Sequence, residues 1–173
     1  MEINYEEMLS DLLSCDNYKR KKADSNVLIL EENGEKFVNE LLNVIKNTQK
    51  NEIKQLGCIL LKNFMIKKNN SYNIDIKELL DTDNLHIVRS VSLLYATKCK
   101  LEMKNIINNV RILIDLSYKK SALIAIEYVV QELESIKYIN NDLNNMILNS
   151  IFVNFGEHNT EKLKIFYHLI PRS

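Results

Sequence analysis

The chain has 173 residues, 46% of them hydrophobic, which is long enough for a sizeable core and too apolar for a disordered tail. Its 23 basic and 23 acidic side chains cancel, so no global field points to nucleic acid, which is not expected as a partner. One proline and three glycines leave few tight β-turns, and Leu, Ile, Lys, Glu and Asn dominate, so the expected fold is all-α.

The N-terminus, MEINYEEMLSDLL, is acidic and lacks the basic opening of a signal peptide. Residues 5–14 place Met8, Leu9, Leu12 and Leu13 on one helical stripe, and after the CDN break residues 17–32 form a second helix using Ala23, Val27 and Leu30. ENGE turns at Gly34. FVNELLNVI then carries Phe37, Leu41, Leu42 and Ile45, and NEIKQLGCILLKNF aims Ile53, Leu56, Leu60, Leu61 and Phe64 at the core. A polar loop, KKNNSYN, precedes the short apolar piece IDIKELL, and DTDN offers N-caps to LHIVRSVSLLYATKC. MKNIINNVRILIDL comes next, with Ser117 as a candidate cap for YKKSALIAIEYVVQELESI. INND opens a helix running through Phe155, Gly156 ends it, and TEKLKIFYHLI is the last. No apolar run reaches the roughly 20 residues of a membrane span.

These elements make about ten helices in five antiparallel pairs, over residues 5–32, 35–66, 74–100, 103–137 and 141–170. The second helix of each of the first four pairs has a basic residue three places before a small one. The small residue falls at Ala23, Gly57, Ser92 and Ala122, a period in the thirties. Two helices per unit at that period are the signature of an α-solenoid. Gly57 is then explained: a mid-helix glycine costs about 1 kcal/mol relative to alanine, and close approach of a neighbouring helix offsets the loss. The tetratricopeptide and ankyrin patterns are absent. A basic residue following an aliphatic one, as in Ile53-Lys54 and Val88-Arg89, is similar to the HEAT repeat, so the expectation is a right-handed solenoid of about five HEAT-like pairs.

Over residues 5–66 the sequence resembles the N-terminal region of the importin-β superfamily of nuclear transport receptors, and most of all the importin-β3 type. The family opens with a leucine-rich helix and an Asp-Asn break. An Arg-x-x-Ala-[Glu/Asp] helix follows, matched by Arg20, Ala23 and Asp24. Its Gln-Leu-Ala-x-x-x-Leu-Lys-Asn helix is matched by Gln55, Leu56, Leu61, Lys62 and Asn63, with Gly57 in place of the alanine. Such receptors are acidic and several times longer, so the resemblance implies a fragment of a longer chain or a short relative. It also implies a Ran-type GTPase, bound in its GTP form by second helices on a concave face. Phenylalanine-glycine repeats of the nuclear pore are the expected contact of outer helices, and cargo would bind through repeats mostly absent here. The implied location is cytoplasm and nucleus. A generic HEAT scaffold that binds another partner is the alternative, and a HEAT-like enzyme acting on nucleic acid a third.

These readings single out candidate sites. Lys19 to Lys22 form the densest positive run, with Lys19 and Lys22 as partner contacts, against the plain alternative of a solvated helix end balanced by Glu6, Glu7 and Asp11. Gln55, Lys62 and Asn63 face a partner or hydrogen-bond to neighbouring helix ends. Ser90, Thr97, Lys120 and Glu127 are the concave-side candidates of later pairs. His86, His158 and His168 lack metal-ligand spacing, no glycine-rich phosphate loop or nucleophile elbow occurs, and Cys15, Cys58 and Cys99 read as reduced thiols, mostly buried in helices. No catalytic residue, cofactor or metal is therefore expected.

Overall fold

The computed structural model describes residues 2–152 and 156–170. Nine α-helices and two 3₁₀ turns account for the regular structure among these residues, and no strand occurs among them. The chain divides into two compact units, Met1–Tyr72 and Asn73–Ser173.

The first unit holds α1 (Tyr5–Leu12), α2 (Asn17–Leu30), α3 (Gly34–Asn47) and α4 (Asn51–Lys68). Short polar side chains start three of them: Asn4, Asp16 and Asn33 each accept from a backbone N–H in the first turn of α1, α2 and α3. α4 has no such cap and ends on Asn69 in the left-handed conformation, from which the Asn70 N–H reaches back to the Met65 carbonyl at 3.1 Å. α1 packs on α2 and α3 on α4. A chain of rings joins Tyr5, Phe37, Phe64 and Tyr72 at centroid separations of 6.2, 4.8 and 5.6 Å, so α1, α3 and α4 share an aromatic core.

Gly57 lies in that packing. A Cβ there would stand 2.6 Å from Cγ1 of Ile45, itself fully buried on α3, so the missing side chain is what lets α3 and α4 approach. All four small residues of the repeat register (Ala23, Gly57, Ser92 and Ala122) are buried. Some apolar positions differ from expectation. α1 stops at Leu12, which leaves Leu13 exposed at its end. Leu56 and Leu60 are only half-buried on α4, whose core face turns instead through Ile53, Cys58, Leu61, Phe64 and Met65.

The second unit begins with a segment in which Ile74, Ile76, Leu79 and Leu80 are buried. Its only regular structure is a 3₁₀ turn, Lys77–Leu80, where a short first helix was expected. Seven residues of IDIKELL are too few to offset helix nucleation, and neighbouring side chains take up its carbonyls instead. The Lys98 ammonium donates to the Ile74 carbonyl at 2.6 Å and the Ser121 hydroxyl to that of Leu80 at 2.6 Å. Next come α5 (Leu85–Leu101), capped by Asn84, a 3₁₀ turn at Met103–Asn105, and α6 (Ile106–Asp115). α7 (Lys120–Ser135), α8 (Asn141–Ile151) and α9 (Asn159–Leu169) complete the unit. The expected cap Ser117 is not used: α7 starts after Lys119 with no side-chain cap. The expected continuation of α8 to Phe155 falls outside the described residues.

Packing in this unit is ordered in two rows. α7 lies against α5 on one side and α9 on the other, while α6 packs behind α7 and against α8. α7 supplies the wide apolar arc this needs, burying Ala122, Leu123, Ala125, Ile126, Val129, Val130 and Leu133. Each large aliphatic side chain so buried contributes roughly 1.5–3 kcal/mol.

Candidate partner-binding groove along α7

The face of α7 opposite its apolar arc carries Lys120, Ile124, Glu127, Gln131 and Glu134, spaced alternately four and three residues apart and so aligned along the helix. α5 borders this stripe with Leu85 and Arg89, and α9 with Glu161, Lys164 and His168. Four clefts, of about 510, 430, 350 and 400 Å³, succeed one another along it. Lys120 and Ile124 line both the first and second, Glu127 and Lys164 both the second and third, and His168 both the third and fourth. The first three follow the polar stripe from Lys120 to Gln131, and the fourth opens beside the C-terminal end of α7, between α7, α8 and α9. This fourth cleft is apolar, lined by Leu133 of the apolar arc and by Leu143 and Ile147 of α8, with the 82% exposed Ile139 at the rim.

Polar contacts fix the walls. Lys120 pairs with Glu161 at 3.5 Å, tying α7 to α9 near their N-termini. Further along, Gln131 Nε2 donates to Glu127 Oε1 at 3.2 Å and lies 3.2 Å from His168 Nε2, while His168 Nδ1 stands 2.6 Å from Glu134 Oε2. One imidazole tautomer satisfies all three contacts: the proton on Nδ1 goes to Glu134, and Nε2 accepts from the amide. Arg89 and Lys164 have no ion-pair partner among the described residues, so the groove offers two free cations between its fixed pairs.

Of the sequence-derived candidates, Lys120 and Glu127 meet in this groove. Ser90 sits on α5 one place after Arg89, half-buried, its hydroxyl given to the His86 carbonyl at 3.0 Å. Thr97 is buried and donates to the Leu93 carbonyl one turn back on α5 at 2.9 Å. The other candidates belong to the first unit. Gln55 and Lys62 are half-buried and Asn63 exposed on the outward side of α4, beside the exposed Ile59 and Ile66. Lys19 and Lys22 are exposed near the start of α2. Arg89, Glu161, Lys164 and the polar use of His168 escaped the sequence reading. The signal for the floor is the α7 stripe itself, but only the stacking of α5 and α9 against α7 supplies the walls.

The groove presents charges and amide dipoles to a ligand. No group of three His, Cys, Asp or Glu able to hold a metal occurs among the described residues. Cys58 and Cys99 are buried, and loss of hydration pushes each thiol up to about 12, so neither is a thiolate near neutrality. Cys15 is exposed. No helix among the described residues is long and apolar enough to cross a membrane. Comparison with protein-family models, curated proteins and solved structures gives no match to this chain.

Proposed function

We propose that the chain is a non-catalytic protein-binding segment of an α-solenoid of HEAT-like pairs, and that it receives its partner along the groove over α7. The observation that carries this is the row of second helices, α5, α7 and α9, packed side by side so that one polar stripe becomes a groove floor. Stacked pairs bury a continuous core and free one row of helices for recognition, as helical-repeat proteins do. The free Arg89 and Lys164 favour a partner segment with acidic side chains, and the apolar cleft beside the end of α7 favours an aliphatic or aromatic anchor on it. A peptide array probed with the chain and with the Arg89→Glu/Lys164→Glu double variant tests the proposal. Acidic peptides retained by the chain and lost by the variant are expected; identical patterns would overturn it.

A sharper reading has separate support in residues 5–66. Arg20, Ala23, Asp24, Gln55, Leu61, Lys62 and Asn63 match the importin-β superfamily pattern, and the register residues Ala23 and Gly57 are buried. On this reading the partner is a Ran-type GTPase in its GTP form, with pore phenylalanine-glycine repeats and cargo as further contacts in cytoplasm and nucleus. Titration with Ran loaded with GTP or GDP decides it. GTP-selective binding supports the transport role. Equal or absent binding by the folded chain removes that role and leaves the scaffold reading to the array.

A further inference from the structure

We infer a second docking surface, on α2, for an amphipathic helix of a partner protein that carries acidic side chains at one end and aliphatic ones at the other. α2 buries only Ala23 and Val27. Opposite them, Tyr18, Lys22, Ser25 and Ile29 stand at i, i+4, i+7 and i+11, with Lys21 and Leu28 alongside, the spacing of a helix-packing seam. Tyr18 is 75% exposed, Leu28 63% and Ile29 57%, so the seam is open.

Charge along the seam is divided. Lys19, Lys21 and Lys22 have no ion-pair partner among the described residues, and Arg20 reaches only Asn17. These cations sit at the positive end of the helix macrodipole, where no acidic side chain occupies the first turn to offset them. Asp16 already accepts from the backbone N–H groups of Tyr18 and Lys19, so what stays free is side-chain charge, not the helix end. At the other end of the helix, Lys67 neutralises Glu31 at 2.6 Å, beside the aliphatic pair.

That division selects the occupant. A helix lying on a membrane needs a continuous apolar face edged by cations, whereas here Ser25 separates a basic half from an apolar half. A nucleic acid would use the cations and leave Leu28 and Ile29 in water. A helix of complementary pattern covers both halves: carboxylates on Lys21 and Lys22, aliphatic side chains on Leu28 and Ile29, with Tyr18 as an anchor at the basic edge. The surface lies wholly within the first unit and does not depend on the groove over α7.

The test is fluorescence anisotropy of a synthetic helical peptide with glutamates at one end of its face and leucines at the other, titrated with the full chain. Expected are saturable binding that weakens with salt, and a loss of about tenfold or more in Lys21→Glu/Lys22→Glu. A similar loss is expected in Leu28→Ser/Ile29→Ser, and none in Arg89→Glu/Lys164→Glu. A peptide with lysines in place of the glutamates should prefer the charge-reversed chain. Absent saturation, equal affinity for both peptides, or stronger binding to phosphatidylserine vesicles than to the peptide would each overturn the proposal. Dimerisation abolished by Lys21→Glu/Lys22→Glu in sedimentation would overturn it in favour of a second copy of the chain.

Discussion

Helices α2 and α7 both carry a basic residue three places or fewer before a buried small one, yet they sit in opposite circumstances. α7 buries eight residues among α5, α6 and α9, while α2 buries two and packs mainly on α1. The residues beyond the small one make the difference. ALIAIEYVV turns apolar side chains through more than half the helix circumference, whereas ADSNVLIL interrupts the arc with Asp24, Ser25 and Asn26. A narrow arc accepts one neighbour and a wide arc several. The register residue therefore sets where a helix can be approached, and the width of the apolar arc sets how many helices approach it.

The two units differ in core chemistry as well. Linked rings from Tyr5 to Tyr72 run through the aliphatic side chains of the first, whereas aliphatic and alanine side chains along α5 and α7 fill much of the second. Each unit encloses one buried thiol, Cys58 or Cys99, and this gives separate reporters of their opening. The change expected to separate the units most is Phe64→Ala, which removes the ring between Phe37 and Tyr72 and costs about 3–5 kcal/mol. Under rising denaturant Cys58 should then react with a thiol reagent well before Cys99. Simultaneous exposure of the two would show the units to unfold as one.

Next in size is Gly57→Leu, which drives a side chain into Ile45 and Leu41 and destabilises the first unit by about 1–3 kcal/mol. An unchanged melting temperature would sink the close-approach account of this glycine. The smallest effect sharpens the contrast between α2 and α7. Lys19→Glu puts an anion where the α2 macrodipole favours one and should stabilise the chain by about 0.3–1 kcal/mol in urea unfolding. A loss of stability there would mean that the α2 cations already have partners within the fold.

Much of this architecture was legible because helix periodicity and capping are local. Asn84 in DTDN announces a helix start, and the burial of Ala23, Gly57, Ser92 and Ala122 accords with a register readable along the chain. The site was less legible because its walls come from different helices. Lys120 and Glu127 could be picked from α7 alone, but Arg89 and Lys164 gain meaning only when α5 and α9 flank it. Thr97 was picked from helix spacing, which gives a side chain's direction along its own helix but not which neighbour covers that direction. IDIKELL showed its apolar character in sequence, while its 3₁₀ form depends on donors far along the chain.

That dependence bears on the order of assembly. The carbonyls of Ile74 and Leu80 find their donors on Lys98 and Ser121, 24 and 41 positions away, and Asp81 meets Lys119 across 38. Loop closure over such distances has to be met before these contacts return anything, so the expected order has local helices forming first and this segment fastened last. Interactions that arise after the folding barrier act on the rate of escape from the native state, with little effect on the rate of reaching it. On that order, the buried aliphatic side chains and hydrogen bonds that hold residues 74–81 in place would act as a latch on the second unit, setting how long it stays folded rather than how fast it folds.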